Sequence, residues 1–96
     1  MANGPYNNNY RWPYMARLTR KDGSSIYWVQ FHADPWTAEA SIRSEVAIER
    51  DDLTFKACRA LPPMAWRAYG NLPDGRVWKM AGVAAKRALT MFMATM

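Results

Sequence analysis

His32 and Cys58 are the only histidine and the only cysteine among the 96 residues. Nucleophilic catalysis with a thiol would therefore have to bring these two within hydrogen-bond reach of each other. The plain alternative is a surface histidine and a small buried thiol. One His and one Cys do not supply the three or four ligands that zinc takes, so no metal site is expected. Asp51-Asp52 is the one adjacent pair of carboxylates, and in a turn such a pair serves more often as solvated charge or helix cap than as acid and base. The chain lacks both the P-loop pattern and Gly-x-Gly-x-x-Gly, so nucleotide phosphates have no recognisable cradle. These residues point to a non-catalytic protein without a cofactor.

One pattern recurs: cations interleaved with aromatic side chains. It appears as Tyr10-Arg11-Trp12-Pro13-Tyr14, as Trp66-Arg67-Ala68-Tyr69 and as Arg76-Val77-Trp78-Lys79. Arg17 and Trp28 join it if the first two strands pair as argued below. Cations neutralise phosphates, and aromatic faces stack on unpaired bases, so the expected partner is nucleic acid. The expected contact residues are Arg11, Arg17, Arg20, Lys21, Trp28, Arg67, Arg76, Trp78, Lys79, Lys86 and Arg87. Against this stands ordinary packing, since aromatic residues in a short sheet are usually core and Arg beside Trp is often a packed cation–π pair.

A second reading uses the same residues differently. Trp, Tyr, Met and Arg are enriched where proteins meet, and compact bacteriophage inhibitors share this size and this lack of catalytic groups. On that reading the chain is an inhibitor or adaptor that docks on a larger host protein assembly. Self-association through the methionine-rich end, Met91 to Met96, is compatible with either, so a homodimer is also open.

The elements that must position these residues start from Asp22-Gly23, a preferred pair for a two-residue hairpin loop between runs of β-branched and aromatic residues. A two-residue loop sets Lys21 opposite Ser24 and pairs Leu18 with Tyr27, Ala16 with Val29 and Tyr14 with Phe31 as one apolar face. Arg17 with Trp28 then falls on the other face. Asp34-Pro35 starts a helix that places Ala38, Ile42 and Val46 on one stripe and Glu39 one turn from Arg43. A strand over Glu45 to Arg50 is the rival reading of its second half. Leu53 to Leu61 alternates as a third strand, although a helix also fits its spacing. Pro62-Pro63 ends it, and Met64 to Tyr69 has room for a helical turn or two. Arg76 to Thr95 is the clearest helix, with an apolar stripe through Val77, Met80, Ala81, Ala84, Ala88, Met91 and Phe92 that Trp78, Ala85 and Leu89 widen along one flank. Tyr14, Leu18, Val29, Phe31, Ile42, Val46, Ala84, Ala88, Leu89 and Phe92 are the expected interior.

The expected fold is thus α+β, a small antiparallel sheet packed on one face by a central helix and a long C-terminal helix. Residues 1–9, polar and rich in Asn, read as a flexible arm, and residues 10–96 as one domain. Lys79, Lys86 and Arg87 argue against a membrane span for the last helix. One cysteine and an N-terminus without signal-peptide blocks fit the cytoplasm. The net charge of +5 is unevenly spread: residues 34–52 carry six acids and two Arg, while the flanking segments are basic.

Overall fold

A computed structural model describes residues 11–69 and 83–96. The expected arm, the turn at 71–75, and Arg76, Trp78 and Lys79 lie outside the described residues. The elements run β1 (Trp12–Arg20), β2 (Ser25–His32), α1 (Pro35–Glu49), β3 (Leu53–Ala60), α2 (Pro63–Trp66) and α3 (Val83–Ala94). The three strands form one antiparallel sheet in the order β2-β1-β3, so the α+β expectation stands. Among the described residues, no helix is long and apolar enough to cross a membrane.

The hairpin reverses one residue differently from the two-residue expectation. Gly23 N–H donates to the Arg20 carbonyl at 2.9 Å and Arg20 N–H donates to the Ser24 carbonyl at 2.8 Å, which leaves Lys21, Asp22 and Gly23 as a three-residue loop. Gly23 takes φ of 91°, the left-handed position such loops require. Asp22 accepts from Ser24 N–H at 2.9 Å and from its hydroxyl at 2.7 Å, and this side-chain turn fixes the extra residue. Nothing lies within 4 Å of where a Cβ on Gly23 would sit, so Gly23→Ala meets only the backbone penalty. Its expected effect is a loss of about 1–2 kcal/mol of unfolding free energy, measured by urea titration, with Gly23→Asn losing less.

The longer loop moves the whole of β2 by one position. Leu18 pairs with Ile26, Ala16 with Trp28, Tyr14 with Gln30, and Arg17 faces Tyr27. Because side chains alternate, a one-residue shift exchanges the two faces of β2. Tyr27, Val29 and Phe31 therefore stand with Met15, not with Leu18, and the expected Arg17–Trp28 pair does not form.

Both faces of the sheet are covered. On the first, Ala38, Ile42 and Val46 of α1 pack on Ala16, Leu18, Ile26, Trp28 and Leu53. The helix begins as expected, with Asp34 accepting from Thr37 N–H at 2.7 Å and Pro35 following. It stays helical through Glu49, and Arg43 reaches Glu39 at 2.8 Å. Gln30 ties its flank, donating to Glu45 at 3.0 Å and accepting from the Ser41 hydroxyl at 3.2 Å.

On the second face, Met15, Val29 and Leu61 pack against Ala65, Trp66, Ala68 and Tyr69 from the α2 region and Ala85 and Leu89 of α3. Covering of one face only is thereby corrected to a sheet held between two helical layers. The buried stripe of α3 is centred on its expected flank, with Ala88 and Phe92 packed beside it. Ala85 and Leu89 are buried, whereas Ala84 and Met91 are exposed.

Two local features shape the central strand. Pro13 is fully buried near its start; its carbonyl accepts from Leu61 N–H at 3.0 Å, but proline has no N–H to return. The Leu61 carbonyl accepts from the Trp66 indole N–H instead. Between Arg17 and Leu18 the register to β3 shifts, because Leu18 pairs with Phe55 and Arg17 with Ala57. Lys56 is the extra residue of this bulge. The shift sends Phe55 and Leu53 toward α1, where the Arg43 guanidinium lies 4.2 Å from the Phe55 ring centre.

Candidate nucleic-acid interface

The two layers differ sharply in charge. Residues 34–52, which make up α1 and its two ends, hold Asp34, Glu39, Glu45, Glu49, Asp51 and Asp52, and their two arginines are already engaged with Glu39 and Asp52. Everywhere else the described residues carry nine Lys or Arg against one acid, Asp22. Arg67 follows α2 and Lys86 and Arg87 lie on α3, all exposed. Arg17 and Arg59 project from the sheet face on that same side, as their pairing with Tyr27 and Met15 requires. The acidic segment and this basic group therefore occupy opposite sides of the sheet.

Arg17 is the least accommodated of these cations. It is half-buried, its Nε is shielded from solvent, and no hydrogen-bond acceptor meets that atom. A buried donor left without a partner costs about 1–3 kcal/mol. Arg59 is better placed: one guanidinium nitrogen donates to the Thr95 carbonyl at 3.0 Å and to its hydroxyl at 3.1 Å, and the group lies over Phe92. It fastens the end of α3 to the sheet, where a cation suits the helix C-terminus. Lys56, on the bulge, is exposed. Sequence reasoning missed Lys56 and Arg59 because their positions depend on how β3 pairs with β1, which no local spacing reports.

The remaining expected contacts are scattered. Arg11 is exposed and donates to the Phe31 carbonyl. Arg20 and Lys21 stand exposed at the hairpin tip, with Arg20 donating to the Ser24 hydroxyl at 3.1 Å. Trp28 is only 7% exposed and belongs to the core under α1, so it cannot stack on a base. Trp66 is likewise interior, and Trp12 packs against it with ring centres 5.3 Å apart. Among the described residues, most of the aromatic half of the motif is therefore core, while the basic half is largely surface.

His32 and Cys58 lie on strands at opposite sides of β1, opposite Trp12 and Ala16 respectively. Strand spacing and residue rise put them roughly 16 Å apart, so they form no dyad. Burial pushes the Cys58 thiol up to about 11, which keeps it protonated at neutral pH and unreactive. The His32 imidazole, which donates from Nε2 to Gln30 Oε1 at 2.8 Å when that nitrogen is protonated, is pushed down by burial and by Arg11. Among the described residues no three His, Cys, Asp or Glu side chains gather as metal ligands would.

No protein family, curated protein or solved structure matches this chain.

Proposed function

We propose that this is a non-catalytic protein that binds nucleic acid through its phosphates, using the side of the sheet that carries Arg17, Arg67, Lys86 and Arg87. The observation that supports this reading is the segregation of charge: the acids gather around α1, and the opposite layer presents cations that no carboxylate neutralises among the described residues. Phosphate contact needs only such a surface, and the released counterions make the affinity fall steeply with salt. Trp28 and Trp66 are interior, so these two indoles take no part in the reading, which rests on contact with backbone charge. We place this activity in the cytoplasm, where a single unpaired thiol is normal.

The test is oligonucleotide binding by fluorescence anisotropy from about 50 to 200 mM salt, the range over which such contacts lose most affinity. Replacing Arg67, Lys86 and Arg87 together with Ala should weaken binding to all sequences alike and flatten the salt dependence by about one unit of slope per lost contact. All three side chains are exposed, so folding should be preserved. Absence of binding at low salt, or binding unchanged in the triple variant, would overturn the reading.

A further inference from the structure

β2 ends the sheet on its side, and its backbone groups alternate between two directions. Arg20 N–H donates to the Ser24 carbonyl and Leu61 N–H to the Pro13 carbonyl, so the even residues of β1 bond toward β2 and the odd ones toward β3. Ile26, Trp28, Gln30 and His32 pair with those even residues and use their N–H and C=O groups inside the hairpin. Ser25, Tyr27, Val29 and Phe31 turn theirs outward. The Phe31 carbonyl accepts from Arg11, whereas the backbone groups of Ser25, Tyr27 and Val29 meet no partner among the described residues.

Nothing in the strand itself keeps a neighbour away. Ser25–His32 contains no Asp, Glu, Lys, Arg or Pro, and its pairing with β1 runs without a bulge; charges, proline and bulges are the usual deterrents to strand addition. Ile26 and Trp28 are buried with α1, and Val29 with the α3 layer. The open side of β2 is therefore the line of its backbone. The opposite border, β3, is interrupted by its bulge.

We propose that two copies of this chain join along β2, antiparallel about a twofold axis at Tyr27, so that their sheets become one. The unpaired groups choose this register. Ser25, Tyr27 and Val29 are symmetric about Tyr27, so Tyr27 pairs with its own copy, each Ser25 pairs with Val29 of the other copy, and every one of these N–H and C=O groups finds a partner. Moving the axis to Trp28 would set Ser25 against Phe31, whose carbonyl Arg11 already holds. The side chains agree with the backbone. The axis stands perpendicular to the sheet, so on the α1 side Ile26 of each copy comes opposite Trp28 of the other, and on the α3 side the two Tyr27 rings meet. Aromatic with β-branched and aromatic with aromatic are cross-strand pairs that stabilise sheets, and no charge in the strand opposes its own copy. β2 is thus its own complement, which is the ground for choosing a second copy over a foreign strand. The same surface serves both copies, so association closes at two.

Sedimentation velocity of the full chain over a range of concentrations, with amide exchange followed by NMR, tests this. A monomer–dimer equilibrium is expected that goes no further and persists at high salt, because hydrogen bonds and apolar contacts hold it. The Ser25, Tyr27 and Val29 amides should exchange slowly in the dimer and quickly after dilution to monomer, while those of Ile26 and Trp28 stay protected in both. Tyr27→Lys and Tyr27→Glu each set like charges together on the axis, so each alone should be monomeric; mixed, they should form a 1:1 pair. Tyr27 is half-buried, so circular dichroism checks that both variants fold. Ser25→Pro is an independent variant: it removes one outward N–H at the first residue of the strand, where proline is tolerated, and it should weaken the dimer. A monomer at every concentration would overturn the proposal and leave β2 for a foreign strand. Slow exchange of Tyr27 and Val29 already in the monomer would overturn it in favour of another part of the same chain, and a dimer in which those amides remain fast would place self-association on a different surface.

Discussion

Trp28→Ala should lower the free energy of unfolding by about 3–5 kcal/mol, the usual cost of removing a large aromatic side chain from a packed interior. The indole lies among Ala16, Leu18, Ile26, Ile42 and Val46, and truncation leaves a cavity that strand and helix can only partly close. For a domain of this size that is a large part of a total of about 5–15 kcal/mol. Urea unfolding followed by circular dichroism measures it. The same variant carries a second expectation: under conditions where it remains folded, its oligonucleotide affinity and salt dependence should match those of the parent chain. Weakened binding by a variant of unchanged stability would instead place the indole on the surface and restore the other hairpin register.

Met15→Ala is expected to cost about 2–5 kcal/mol through the opposite layer. Met15 is completely buried beneath the α2 region and α3, in contact with a cluster that includes Val29, Trp66, Ala85 and Leu89. The loss should loosen the helices before it disturbs the hairpin, so hydrogen exchange should accelerate across residues 83–94 more than across the strands. Met91→Ala is the matching control. Its side chain points away from that cluster, and stability should change by less than about 0.5 kcal/mol. Equal losses from the two methionines would mean that α3 turns a different face to the sheet.

The parts of the fold that could be read from the chain are those governed by neighbours in sequence. Asp34-Pro35 capped a helix whose inward residues Ala38, Ile42 and Val46 were correctly identified, and Leu53 to Ala60 is a strand as alternation suggested. The hairpin register was not legible, for a physical reason. Asp-Gly suits both a two-residue loop and a three-residue loop with left-handed glycine, and only the Asp22–Ser24 hydrogen bonds separate them. Alternation could not arbitrate, because helices cover both faces and each set of β2 residues, Ile26 with Trp28 or Tyr27 with Val29 and Phe31, is apolar. The same ambiguity placed Trp28 in the candidate site. That α3 turns its flank to the sheet has a related origin, since Ala84 and Ala85 are equally small and only the approach of the sheet distinguishes them. What survived was charge: the contrast between residues 34–52 and the rest of the chain became a contrast between two sides of the molecule.

The bulge in β3 has one more consequence. An outermost strand offers its free backbone groups to any extended chain it meets, and proteins guard such strands with irregular pairing and with lysine. β3 has both, since its extra residue is Lys56 and the exposed side chain sits where a passing strand would have to align. Growth of the sheet beyond three strands is thereby discouraged on this flank, where a straight, apolar border would seed fibrils.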